Sequence, residues 1–167
     1  MPSTRLRQDV LAPARRVVVK IGTQLIFQED AATPTIDAAF LAEMARQIAE
    51  LTARGYQITL VSSGAIGCGC VELGLEKKPT DVADAQAVAA VGQRRLMGYW
   101  AEALLPHKLG VGQVLLTRGD FDDRARFLNI RNCLQRLHEL NCVPVLNEQG
   151  RVAVGEVRFG DTDLLAA

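Results

Sequence analysis

Four short apolar runs recur along this chain, and between them lie segments whose apolar residues repeat at helical spacing. The runs are RRVVVKIG (15–22), QITLVSSG (57–64), VGQVLLT (111–117) and CVPVLN (142–147). Three consecutive valines bounded by Gly22 predict a buried strand covered on both faces, as strands of parallel sheets are. In the segment at 33–55, Ile36, Phe40, Met44, Ile48 and Leu51 fall along one helical face, with Thr35 placed to cap it and Gly55 to stop it. A long helical segment follows at 81–107. Another at 118–141 sets Phe127, Ile130, Leu134 and Leu137 on one side. Strands that alternate with helices of this length imply right-handed crossovers and a doubly wound, mainly parallel α/β sheet.

The rest of the composition narrows the function classes. With 167 residues and 49% apolar content the chain has material for one domain with its own core. Lysine plus arginine and aspartate plus glutamate balance at 19 each, so no net field favours nucleic acid or an anionic membrane. No apolar run approaches the roughly 20 residues of a membrane-spanning helix. Residues 1–14 are basic but lack the apolar centre of a secretory signal, and are expected to form a flexible leader. Cys68, Cys70, Cys133 and Cys142 lack metal-ligand spacing and read as small packing residues, with no metal site and a cytoplasmic setting expected. Trp100, Phe121 and Phe127 are core candidates. Asp122, Asp123, Arg124 and Arg126 read as a solvated, mutually paired helix face.

In open α/β sheets ligands bind beyond the carboxyl ends of the strands, so the loops after each strand are where chemistry should collect. After the first run come Lys20, Ile21, Gly22 and Thr23: a cation for phosphate, then a glycine that lets backbone approach a ligand. After the second come Ser62, Ser63, Gly64 and Gly67, a small-residue turn entering a helix whose free amides attract carboxylate or phosphate. A Ser/Gly turn of this kind also serves as a plain helix cap. It is neither a Walker loop nor a nucleophile elbow, since both glycine frames are absent. After the fourth run, Asn147 to Gly160 leads to Asp161, Thr162 and Asp163 at a helix start. Carboxylates there can cap the helix, or hold lysines or Mg²⁺ beside phosphates.

The ordered blocks VVVKIGT, VSSGAIG, AVAAVGQRRLMGYW, VGQVLLTRGDFDDRARFLNIRN, VPVLNE and EVRFGDTDLLAA resemble the amino acid kinase family, and within it the branch that phosphorylates glutamate. The resemblance covers residues 15–167 and implies the amino-terminal, acid-binding part of a three-layer α/β/α sandwich. It implies transfer of the ATP γ-phosphoryl, with Mg²⁺, to the side-chain carboxylate of L-glutamate, the first step of proline biosynthesis. Proline would act as feedback inhibitor and the assembly would be a homo-oligomer. By position, Lys20 matches the lysine at the ATP phosphates, with Gly22 and Thr23 in the adjoining nucleotide loop. Ser63 and Gly64 match the acid-binding turn, and Asp163 the aspartate that organises the active-site lysines.

Two positions depart from the family pattern. Asn-Glu-Asn-Asp becomes Asn147, Glu148, Gln149 and Gly150, so an aspartate for the substrate ammonium is replaced by Gly150. Gly-Asp-Asn-Asp becomes Gly160, Asp161, Thr162 and Asp163, so Thr162 replaces a substrate-contacting asparagine. A lost charged hydrogen bond costs about 1.5–3 kcal/mol. These two positions motivate a kinase of another carboxylate as one alternative to a glutamate kinase, and a truncated, non-catalytic amino-acid-binding or assembly module that keeps the acid-binding face without a nucleotide half is the other. The family's nucleotide-binding half is expected beyond the GDND block.

Overall fold

The structure, a computed structural model, describes residues 14–28, 35–116 and 119–148. Four strands, β1 (Arg16–Ile21), β2 (Gln57–Ser62), β3 (Gly110–Leu116) and β4 (Cys142–Glu148), form one sheet in the order β1-β2-β4-β3. Every pairing is parallel, as crossovers through helices require. The helices are α1 (Ala38–Ala53), α2 (Ala65–Leu73), α3 (Val82–Leu104) and α4 (Arg124–Glu139).

Side-chain alternation assigns the two sheet faces. Ile58, Leu60, Val143 and Val145 point toward α1 and α3 and meet Leu41, Ala45, Ile48, Leu96, Trp100 and Leu104 in the main core. Val61, Leu116 and Leu146 point the other way, where Ile130 and Leu134 of α4 pack on them. Coverage on this second face is uneven. From Ile58 to Ser62 β2 is buried throughout, whereas on β1 Arg16, Val18 and Lys20 are exposed, Val18 by 46%. The expectation that the valine run is covered on both faces is thus met by β2 and not by β1. As the edge strand it has α1 and α3 on one side, and no described helix reaches the other.

Three local expectations shift. Helix α1 is capped by Asp37, whose carboxylate accepts the Phe40 amide at 2.8 Å, while Ile36 bridges back to Phe27 outside the helix. Thr35 is therefore not the cap; Gly55 does stop the helix, with φ of +84°. The 118–141 segment is broken at Asp123, which caps α4 by accepting from the Arg126 amide after a single turn at Gly119–Asp122. Phe121 and Phe127, core candidates by residue type, lie on the surface, 41% and 47% exposed, whereas Trp100 is fully buried. Cys68 and Cys70 are buried packers, burial pushing the Cys68 thiol up to about 11, but Cys133 is exposed. Among the described residues no helix is long and apolar enough to cross a membrane.

Candidate active site

The carboxyl ends of β1 and β2 lie side by side because Lys20 pairs in register with Val61 and Ile21 with Ser62. The Ser63 amide extends the ladder by donating to the Ile21 carbonyl at 3.0 Å, so the two strand-end loops are tied through backbone. Lys20 is exposed at the end of β1, with Gly22 and Thr23 leading into a single helical turn, Thr23–Ile26. Beyond β2, Gly64 takes φ of +114°, a left-handed conformation that glycine adopts without strain. That turn reverses the chain into α2, whose first intrahelical bond runs from the Cys68 amide to the Gly64 carbonyl at 2.9 Å. The amides of Ala65 to Gly67 precede it, with no carbonyl a turn earlier to meet and the positive end of the helix dipole behind them.

Packing holds this turn in place. A Cβ at Gly64 would lie 3.3 Å from Ile26 Cδ1, and one at Gly67 would overlap the Phe27 ring, so the loop after β1 is seated on the first turn of α2. From behind, α3 crosses at backbone contact. A Cβ at Gly92 would overlap the Ala65 carbonyl oxygen and the Gly69 amide, and one at Gly69 the Val88 carbonyl oxygen. Only glycine at both crossings permits this approach.

Helix α3 also sends two polar groups to the strand ends. The Trp100 Nε1–H donates to Ser62 Oγ at 3.0 Å, and Ser62 in turn donates to the Ser63 carbonyl at 3.3 Å. Two turns earlier, Gln93 Oε1 accepts from Asn147 Nδ2 at the end of β4. Its other amide atom, Nε2, is buried and makes no hydrogen bond. Gln93 and the Ser62–Trp100 pair escape a motif reading. Their place is fixed by the seven-residue step along α3 that sets both residues over the sheet's carboxyl end.

Of the residues singled out in the sequence, the structure brings together Lys20, Gly22, Thr23, Ser63 and Gly64 at adjoining strand ends. Gly150, Asp161, Thr162 and Asp163 lie outside the described residues. A cleft of about 220 Å³ exists at the opposite, amino end of β2 and β4, lined by Tyr56, Gln57, Leu109, His138 and Asn141. It has no helix amino terminus facing it, and the strand-end loops lie far across the sheet. No three histidine, cysteine, aspartate or glutamate side chains come together to hold a metal among the described residues.

This arrangement, a strand-end cation beside a glycine-turned helix amino terminus on a parallel sheet, suits an anionic substrate and a phosphate together. The sequence matches the amino acid kinase family over residues 15–167. The chain belongs to that family. Its relatives include glutamate 5-kinase of Syntrophotalea carbinolica, 44% identical over 97% of this chain and 42% of that protein. The glutamate 5-kinase of Thermus thermophilus is 45% identical over 92% of this chain and 40% of that protein. The chain thus spans about two fifths of the length of these relatives. Among solved structures, an isopentenyl phosphate kinase superposes with a TM-score of 0.50 at 18% identity, covering 78% of this chain and 55% of that one. A UMP kinase from Bacillus anthracis gives 0.50 at 14% identity, covering 81% and 53%. At such identities these likenesses speak for the family's α/β fold alone.

Proposed function

We propose that this chain forms the acid-binding part of a glutamate 5-kinase, a phosphotransferase that converts L-glutamate and ATP to glutamyl 5-phosphate and ADP. The observation that carries this reading is the identity of 43–45% with glutamate 5-kinases along nearly the whole chain, together with Lys20 and the Ser63–Gly64 turn at adjoining strand ends.

In the reaction a side-chain carboxylate oxygen of glutamate attacks the γ-phosphorus, a new P–O bond forms and the bond to the β,γ-bridging oxygen breaks. The protein's task is charge neutralisation and in-line positioning, with no protein nucleophile. Lys20 is the cation that neutralises phosphate charge as it shifts toward the leaving group, with Gly22 and Thr23 letting the loop come close. Ser63 and the amides after Gly64 hold the acid's anionic oxygens. Asp163 organises the lysine charges. Mg²⁺ is the nucleotide's companion, bound through its phosphates. The described residues offer no carboxylate set for it. A cytoplasmic, self-associating enzyme inhibited by proline completes the reading.

The test is ATP- and Mg²⁺-dependent formation of an acyl phosphate, trapped with hydroxylamine, by the natural full-length protein. Glutamate should give the hydroxamate. Absence of product with every amino and dicarboxylic acid tried would sink the proposal.

Gly150 and Thr162 favour a second reading in which the acceptor is another carboxylate lacking the ammonium contact. Joint substitution Gly150→Asp and Thr162→Asn should then raise preference for glutamate by about tenfold or more. An unchanged acceptor ranking counts against it.

A further inference from the structure

The unbonded amide nitrogen of Gln93 is the strongest unexplained feature at the sheet's carboxyl end. Buried side-chain donors are nearly always paired, because leaving one without an acceptor costs most of its lost hydration. Gln93 Nε2 is the only buried side-chain nitrogen or oxygen among the described residues with no partner. It is also held still: Oε1 of the same amide accepts from Asn147 at the end of β4, and its helix is clamped one residue earlier, where Gly92 meets Ala65. Ala65 opens α2 and stands directly after Gly64. Gln93 thus directly follows the helix position that touches the first residue after the Gly64 turn, and its amide is anchored to the end of β4. A surface glutamine would satisfy both ends with water. This one has its oxygen paired and its nitrogen buried without a partner.

We infer that Gln93 is an acid-binding residue whose Nε2–H donates to a carboxylate oxygen of the bound acceptor. The inference rests on the reading of this site as a carboxylate kinase and adds a donor from α3 to those of the Ser63–Gly64 turn. Bound acid completes the amide's hydrogen bonding, so the desolvation already incurred in the empty site strengthens binding when the acid arrives.

The test uses Gln93→Glu in the natural full-length protein. This substitution keeps the oxygen that accepts from Asn147 and replaces the donor with an oxygen. Two quantities are read: calorimetric binding of glutamate, and KM values from hydroxylamine-trapped turnover. Near pH 8 the Kd and KM for the acid should rise about tenfold to a hundredfold, with KM for ATP within about twofold of the parent. The penalty should shrink as the pH falls toward about 5, because the introduced carboxyl then takes up a proton and can donate. A merely structural role would show the same recovery in melting temperature, so acid affinity that recovers while the variant's melting temperature stays parallel to the parent's across this pH range marks a ligand contact, and joint recovery of the two overturns it. Should Gln93→Glu fail to fold, Gln93→Met removes the donor without charge and should raise the acid's Kd at every pH. Unchanged or tighter acid binding in a folded variant overturns the inference, as does an equal loss for acid and ATP. If the parent binds the acid but transfers no phosphoryl, the kinase reading falls alone, since Gln93 is still scored by binding.

Discussion

Lys20 owes its position to a strand that ends where its neighbour turns. Register with Val61 sets it two residues short of Ser63, and the residue is exposed at that end. Replacing it by methionine keeps much of the stem and removes the charge, so kcat should fall about 10²- to 10³-fold, the usual loss for one preorganised donor at developing charge. Melting temperature should move little, which separates a chemical role from a structural one. His138 makes a contrasting case, on the sheet face that α4 covers and nearer the amino ends of the strands. Its Nε2 lies 3.3 Å from Thr59 Oγ1, and burial holds its pKa below the ordinary 6.5. On acidification the unfolded chain takes up this proton before the folded one, so stability rises with pH between the two values and drains away below about 6.5. Thermal melts from about pH 8 to about pH 5 should show the parent losing more stability than His138→Gln, and parallel curves would refute the assignment. The placement of Lys20, Ser63 and Gly64 at adjoining strand ends was legible in sequence because each closes an apolar run. Gln93 was not, since one amide in an alanine- and valine-rich helix reads as a solvent-facing position until the helix is docked.

Helix α3 shows how one element carries opposite demands at two glycines. At Gly92 the backbone touches Ala65 and Gly69, while a Cβ at Gly98 would meet nothing within 4 Å. Gly92→Ala should therefore destabilise by about 1–3 kcal/mol or more, through overlap with backbone that cannot move aside. It should also weaken acid binding by displacing the first turn of α2. Gly98→Ala, six residues on in the same helix, should stabilise by roughly 0.5–1 kcal/mol by relieving the entropic cost of a helical glycine. Chemical denaturation of both variants checks the pair, and a same-sign result would contradict the crossing geometry. Helix existence was readable from periodicity, but helix starts were not. Thr35 and Asp37 are both good caps by residue type, and the choice fell to Asp37 because Ile36 is drawn into a bridge with Phe27. In the same way Asp123 interrupts a segment that is periodic on both sides of it, and Phe127, in the first turn of α4, stays exposed while Ile130 and Leu134 pack.

At the scale of the whole sheet, strand order decides what strand composition cannot. The runs containing Val17 to Val19 and Ile58 to Val61 look alike in sequence, yet β2 lies between β1 and β4 with helices on both faces, while β1 lies at an edge. Parallel alternation was legible because helices intervene between all the apolar runs. The order β1-β2-β4-β3 was not, because it depends on which crossover packs on which face. The order predicts a gradient of local stability. Opening β1 breaks one ladder, and its exposed face, including Val18, leaves little apolar burial to lose. Opening β2 or β4 breaks two ladders and uncovers Leu60, Val61, Val145 and Leu146 together. Amide hydrogen exchange should therefore be slowest in β2 and β4, at or near the global unfolding free energy, with β1 released through smaller openings. The turn proposed to receive the acid is bonded to both classes, since the Ser63 amide reaches Ile21 of β1 while its own strand is β2. Glutamate binding should slow exchange in β1 more than in β2, because a ligand that needs the two strand ends together suppresses the opening that parts them. Equal protection of all four strands with and without the acid would refute both the gradient and that coupling.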